Sequence, residues 1–122
     1  MKQLIIIGAG GMGRTVYDIA REAVGYGEEF VIKGFIDDNV NALDGFVNYP
    51  PVLSAISDYI PQTGDVFTFS IGGEARRKCI ENLVGRGAEF INLIHKTARI
   101  GSNVRIGEGN IIGAFTSLGA DC

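Results

Sequence analysis

A chain of 122 residues, 46% hydrophobic and 20% charged, has room for one ordinary domain and little more. Its net charge of −3 argues against a general nucleic-acid-binding surface, and no apolar run reaches the length of a membrane span or of a signal-peptide core. Cys79 and Cys122 stand alone without metal-ligand spacing, so two reduced thiols in a cytoplasmic protein are expected in preference to a disulfide, and no metal. The 18 glycines cluster near the N-terminus and in the last third, where they mark motifs and not a linker.

In chain order, Leu4-Ile5-Ile6-Ile7 is a continuous aliphatic run of the kind found in strands buried on both faces of a parallel sheet. Gly8-Ala9-Gly10-Gly11-Met12-Gly13 follows. Val16, Ile19, Ala20, Ala23 and Val24 then recur at helical spacing, and Gly25 and Gly27 stop the helix. Phe30 to Ile36 reads as a second strand ending at Asp37-Asp38, and Asn39 to Tyr49 as a loop closed by Pro50-Pro51. Val52 to Ile60 has helical periodicity. Val66 to Ile71 reads as a third strand leading into Gly72-Gly73, and Glu74 to Val84 as a helix with Ala75, Cys79, Ile80 and Leu83 on one face. Phe90, Ile91 and Leu93 form a short fourth strand.

Strand, glycine turn, helix and strand in repetition define βαβ units. With right-handed crossovers they predict a small Rossmann-like parallel sheet in the order 2-1-3-4. The switch point lies between the first and third strands, and ligands bind there, outside the carboxyl ends. The residues at those ends are Gly8 to Gly13, Asp37-Asp38 and Ile71-Gly72-Gly73.

Gly8, Gly10 and Gly13 fit G-x-G-x-x-G, in which the first glycine permits the tight exit from the strand. The second lets a phosphate approach the backbone, and the third lets the helix pack closely on the sheet. Free N–H groups at the helix start favour an anion there. A structural turn without a ligand has the same residues. Asp37, 24 positions after Gly13 (37 − 13), stands where an acidic residue commonly reads ribose hydroxyls, with Asp38 beside it. Asp-Asp-Asn is also turn chemistry. An NAD-linked oxidoreductase domain is therefore one reading, although no hydride-transfer site and no second βαβ half accompany the turn.

The last third keeps a six-residue period. Ile94, Ile100, Ile106, Ile112 and Leu118 are spaced by six, and Gly101, Gly107, Gly113 and Gly119 each follow one of them. This is the hexapeptide pattern of a parallel β-helix, in which one aliphatic per hexad points inward and stacks on its copies. Two domains are expected: residues 1–92 Rossmann-like, and residues 93–122 the start of the β-helix. Ile94 to Cys122 make roughly one and a half coils of three hexads, where repeat architectures need about three units and a cap. The chain is therefore expected to be a fragment or shortened form of a longer protein, with Phe115 and Leu118 exposed unless another copy covers them.

The order of these parts carries a resemblance. Gly8-Ala9-Gly10-Gly11-Met12-Gly13, then Phe35-Ile36-Asp37-Asp38, then Ile71-Gly72-Gly73-Glu74-Ala75-Arg76-Arg77-Lys78, then Asn92-Leu93-Ile94-His95-Lys96-Thr97-Ala98-Arg99-Ile100-Gly101 resembles the bacterial sugar O-acyltransferase family. Its members include sialic acid O-acetyltransferases and UDP-amino-sugar N-acetyltransferases of the NeuD and PglD types. The resemblance spans essentially the whole chain and is most specific around Leu93-Ile94-His95.

That resemblance implies an N-terminal domain that binds a nucleotide sugar, not NAD. Gly8, Ala9, Gly10, Gly11, Met12 and Gly13 would hold the diphosphate, Asp37 and Asp38 would lie against the uracil or ribose, and Ile71, Gly72 and Gly73 would flank the nucleotide or sugar. It implies a left-handed β-helix that assembles as a homotrimer, with acetyl-CoA as co-substrate between subunits. The family's catalytic histidine lies further along the β-helix than Cys122, and some members have His where this chain has Met12. His95, the only histidine, occupies the junction motif, where a structural role is expected, and no catalytic residue is assigned. The expected function is acetyl transfer to a UDP-type sugar in glycan or surface polysaccharide biosynthesis, of which this chain keeps the recognition part. A non-catalytic nucleotide-binding module is the other reading beside the oxidoreductase.

Overall fold

A computed structural model describes residues 1–122. Its centre is β1 (Lys2–Ile7), whose Leu4, Ile5, Ile6 and Ile7 are all fully buried. Each such side chain contributes about 1.5–3 kcal/mol on burial. Parallel neighbours flank it on both edges, β2 (Phe30–Ile36) and β4 (Asp65–Phe69), in the register Ile7↔Ile36 and Ile7↔Phe69. Because alternate side chains leave opposite faces, β1 feeds two cores. Leu4 and Ile6 pack with Val16 and Ala20 of α1 (Gly11–Arg21). Ile5 and Ile7 pack with Cys79 and Leu83 of α2 (Gly73–Gly85).

The sheet order is β3-β2-β1-β4, where β3 is Val52–Ser54. Beyond β4, Phe90 makes only a single parallel bridge to Phe67. The expected order of the strands at 30–36, 2–7, 65–69 and 90 therefore stands, with the fourth reduced to one residue and a new edge strand added. That edge strand corrects the expected helix over Val52–Ile60: only Ile56–Asp58 turns, as a short 3-10 segment. Proline bias toward extended backbone starts the change at Pro50-Pro51. Docking on β2 completes it, because a Cβ at Gly34 would lie 2.7 Å from the Pro51 carbonyl oxygen and 3.0 Å from Leu53 Cγ. The bare glycine lets Phe35 N–H donate to Pro51 O at 2.9 Å and Asp37 N–H to Ser54 O at 3.1 Å.

Register between β1 and β2 shifts after Leu4↔Ile32 so that Ile5 meets Gly34, leaving Lys33 as an extra residue. Such bulges re-aim a side chain. Lys33 Nζ donates to Tyr59 Oη at 2.8 Å and to Asp65 Oδ1 at 3.2 Å. The buried Asp65 carboxylate also accepts from Tyr59 Oη and from Gln62 N–H at 2.9 Å. The hydrogen bond to Tyr59, helped by Asp65, holds the Lys33 ammonium above its ordinary value against the opposing effect of burial. Burial, then the bond to Asp65, pushes the Tyr59 phenol up.

From Leu93 onward the chain coils. β5 (Leu93–Ile94) pairs in parallel with β7 (Ile111–Ile112), and β6 (Arg99–Ile100) with β8 (Ser117–Leu118). Partners are 18 residues apart, three hexads per coil (112 − 94 and 118 − 100). Side chains repeat the offset: Asn92 Oδ1 accepts from Asn110 N–H at 2.8 Å, Asn103 Nδ2 donates to Asp121 Oδ1 at 3.0 Å, and Thr97 Oγ1 accepts from Phe115 N–H at 2.8 Å. Of the periodic aliphatics, Ile112 is buried, Ile94, Ile106 and Leu118 are half-buried, and Ile100 is exposed. The corners turn through left-handed residues spaced by six, namely Asn103, Gly109, Phe115 and Asp121.

Phe115 is the misfit among those corners. A bulky L residue in the left-handed region costs about 1–2 kcal/mol, and its ring, 86% exposed, recovers little by packing. Phe115→Asn is expected to stabilise the chain by about 1 kcal/mol, read as a raised melting temperature. The Lys33–Tyr59–Asp65 cluster gives a second expectation. Both Lys33 and Tyr59 have folded values raised above 10.5 and 10.0, so their stabilisation is full below those values and lost as pH climbs past them. Urea midpoints are expected to hold from neutral pH to near 10 and then fall.

Candidate functional site

Three carboxyl ends meet at one edge of the sheet. Gly8 leaves β1 with φ +102°, and a Cβ there would overlap Ser70 Oγ and come within 2.8 Å of Ile71 Cγ2. Ser70 closes the gap by donating from Oγ to the Ile7 and Gly8 carbonyl oxygens at 2.8 and 3.0 Å. A Cβ on Gly13 would drive into the Gly8 carbonyl oxygen, so only glycine seats α1 this close to the turn. Gly10 differs from both: nothing lies within 4 Å of its Cβ position. It is the N-cap of α1 and has extended backbone, with no side chain capping the first turn and no acidic residue in it. The turn thus offers free N–H groups with open space before them, which suits an anion. At Gly11 the Arg14 Nη2 lies 3.8 Å from the Cβ position, and Met12 is 62% exposed beside it.

Asp37 and Asp38 diverge. Asp37 Oδ2 accepts from Ala9 N–H at 2.7 Å, and its Oδ1 from Asn39 N–H at 2.8 Å, so this carboxylate ties the end of β2 to the glycine turn. Asp38 faces the other side. Its Oδ1 accepts from Ile56 N–H at 3.1 Å, and it lines a cleft of about 380 Å³ with Ile56, Ser57, Ile71, Lys78 and Cys79. Its lining mixes apolar Ile56, Ile71 and Cys79 with polar Asp38, Ser57 and Lys78, the usual make-up of a small-molecule site. Burial, with the charge of Asp38 added, pushes the Cys79 thiol up. Ile71 lies between cleft and turn, Gly72 is the N-cap of α2, and Gly73 has φ +63°.

Of the residues expected to share one crevice at the carboxyl edge, only Asp38 and Ile71 line the cleft, while Asp37 is bonded to the glycine turn. Arg14 lies with its guanidinium 3.8 Å from the centre of the Phe46 ring. Ser70, Ile56, Ser57, Lys78 and Cys79 were not expected at the site. Ser70 could have been suspected from its place before Ile71-Gly72-Gly73. Ile56 and Ser57 had no such signal, since they reach Asp38 only because residues 52–54 extend along β2. No group of three His, Cys, Asp or Glu side chains is placed to hold a metal ion.

His95 lies at the junction. It is buried, and its Nδ1 accepts from Thr97 N–H at 3.1 Å. That contact places the ring proton on Nε2, which donates to Glu22 Oε1 at 2.9 Å. Thr97 Oγ1 also lies 2.8 Å from Nδ1. Both ring nitrogens are thus committed, leaving no lone pair for a substrate proton. Val24 N–H to Ile94 O at 2.9 Å and Lys96 N–H to Glu22 O at 3.1 Å complete the seam between the end of α1 and the coil.

A parallel α/β sheet with a glycine turn at its switch point, continued by a stacked coil, defines the class. The chain belongs to the PglD N-terminal domain family, whose model matches residues 3–83. It is 28% identical over 117 residues to the UDP-N-acetylbacillosamine N-acetyltransferase of Bacillus subtilis (strain 168), aligned over 92% of this chain and 51% of that protein. It is 33% identical over 116 residues to the uncharacterized protein L142 of Acanthamoeba polyphaga mimivirus, over 95% of this chain and 22% of that protein. The chain therefore spans about half of one curated relative and about a fifth of the other. Among solved structures, it superposes on the acetyltransferase domain of PglB from Neisseria gonorrhoeae FA1090 with a TM-score of 0.76 at 26% identity, covering 100% of this chain and 67% of that one. The same domain in complex with acetyl coenzyme A gives a TM-score of 0.77 at 26% identity, over 99% and 66%.

The two glycines should separate cleanly in stability. Gly13→Ala is expected to destabilise the chain by about 1–3 kcal/mol through overpacking against the Gly8 carbonyl. Gly10→Ala is expected to change it by less than about 0.5 kcal/mol. Urea denaturation of the two variants measures the difference.

Proposed function

We propose that this chain is the sugar-nucleotide-recognition part of an acetyl-CoA-dependent acetyltransferase that acts on a UDP-linked sugar in glycan or surface polysaccharide biosynthesis. The observation that carries the reading is the division of labour at the carboxyl edge. Gly10 leaves α1's N-terminus open to a diphosphate, while Asp38 and Ile71 bound a cleft for the base. Gly8 to Gly13 hold the diphosphate, Asp38 accepts from the N–H edge of the uracil or from a ribose hydroxyl, Asp37 braces the turn, and Ile71 to Gly73 flank the nucleotide. The name of the Bacillus relative and the acetyl coenzyme A complex of the Neisseria domain support the substrate and the acyl donor.

In the transfer itself, a sugar amine or hydroxyl attacks the thioester carbonyl. The C–S bond breaks, the CoA thiol leaves, and a general base takes the proton from the attacking group. His95 does not supply that base, because both its nitrogens are bonded. The coil at residues 93–122, with its 18-residue register, is read as the start of a left-handed β-helix. A homotrimer built on it would hold acetyl-CoA between subunits.

An oxidoreductase reading is disfavoured by the company the chain keeps, since the Bacillus relative is named an N-acetyltransferase and the Neisseria domain binds acetyl coenzyme A. Titration calorimetry on the chain should show UDP binding at least about tenfold tighter than NADH. Gly10→Val should weaken UDP binding without changing the melting temperature. Tighter NADH than UDP binding would return the dehydrogenase reading. These 122 residues alone are expected to give no acetyl transfer, and turnover would overturn the structural assignment of His95.

A further inference from the structure

A second cleft opens on the opposite flank of α2. It measures about 190 Å³ and is lined by Phe69, Arg76, Ile80, Phe90, Glu108 and Gly109. Phe69 and Phe90 stack with ring centres 4.7 Å apart and planes 10° from parallel. The Arg76 guanidinium lies 5.1 Å from the centre of the Phe69 ring. Glu108 approaches from the coil. Arg76 and Glu108 are both exposed, and neither takes part in any of the chain's salt bridges. A cation and an anion thus share one small cleft without neutralising each other, over an aromatic base. The volume is below the ~300–1,000 Å³ of a whole small-molecule pocket, so the cleft suits one part of a ligand.

Its position says which part. Phe69 ends β4, Ser70 bonds the Gly8 carbonyl, and Arg76 is in the first turn of α2. The cleft therefore opens on the same carboxyl edge as the glycine turn, separated from the Asp38 cleft by the start of α2. A ligand with its base beside Asp38 and its diphosphate before Gly10 has one free end, and Phe69, which lines this cleft, directly precedes the Ser70 that braces the glycine turn.

We propose that this cleft is the subsite for the sugar ring of the nucleotide sugar, with Arg76 and Glu108 as the residues that recognise it; the proposal rests on the reading of the carboxyl edge given above. Arg76, held by its stack on Phe69, donates N–H groups to ring or acyl oxygens. Glu108 accepts from a hydroxyl or an ammonium group. Ile80 and the edge of Phe90 cover a C–H face of the ring. The paired opposite charges favour a ring rich in both donors and acceptors over a second phosphate, which Glu108 would repel. Glu108 also puts the ring in contact with the coil, the part of the chain that the proposed acetyltransferase extends.

The test is titration calorimetry of the 122-residue chain with UDP and with UDP-N-acetylglucosamine, for the unmodified protein, Arg76→Ala and Glu108→Gln. The unmodified chain is expected to bind the sugar nucleotide about tenfold more tightly than UDP, as two hydrogen bonds to charged groups allow. Each variant should cut that ratio to about twofold or less and leave UDP affinity and melting temperature unchanged. The proposal is overturned if the ratio survives in both variants, or if the unmodified chain binds UDP but gains nothing from the sugar. Failure to bind UDP at all would instead overturn the nucleotide-sugar reading and this subsite with it.

Discussion

The seat of Gly13 on the Gly8 carbonyl is the contact on which the rest of the molecule is arranged. It fixes the entry of α1 at the end of β1, closer than any side chain allows. Two polar braces then hold the turn from either side, Asp37 through the Ala9 N–H and Ser70 through the Ile7 and Gly8 carbonyls. Each brace comes from a neighbouring strand, so the geometry of the turn reports the register of the whole sheet. Gly10, left free of contacts between these constraints, is open because its neighbours are not.

The same helix carries that order to the other end of the molecule. α1 begins at the turn and ends at Arg21, next to Glu22, whose carboxylate accepts from the buried His95. His95 accepts in turn from Thr97, and Thr97 Oγ1 accepts from Phe115 N–H one coil further on. The imidazole thus works as a two-sided connector between sheet and coil, a use that consumes the lone pair a general base would need. The two clefts on either flank of α2 divide by the same logic: Asp38 faces one, and the unpaired Arg76 and Glu108 face the other.

Much of this was legible in residue order, and the gaps have physical reasons. The hexad period survives into the coil because Ile94 and Ile100 pair with Ile112 and Leu118, 18 residues on, so the signal is carried by aliphatic side chains at fixed spacing. The edge strand at Val52–Ser54 was not legible. Three residues have no periodicity of their own, and their extended state comes from docking on the bare backbone of Gly34, far away in sequence. Asp37 and Asp38 look alike in sequence, yet both lie just past the end of β2, and only the surroundings say that one is braced by backbone N–H groups and the other lines a cleft. Arg76 carries no signal of its own in the sequence, and only the fold sets it beside Phe69 and Glu108.

By itself, then, the sequence determined the parallel α/β sheet, the glycine turn at its carboxyl edge, the six-residue period of the last third and the family. Those are local patterns of burial and backbone freedom that repeat along the chain. Tertiary structure alone decided which carboxylate lines the cleft, that His95 is locked at the junction, and that two clefts flank α2. Each of those depends on contacts between residues distant in sequence, where packing and hydrogen-bond satisfaction, not local preference, choose the outcome.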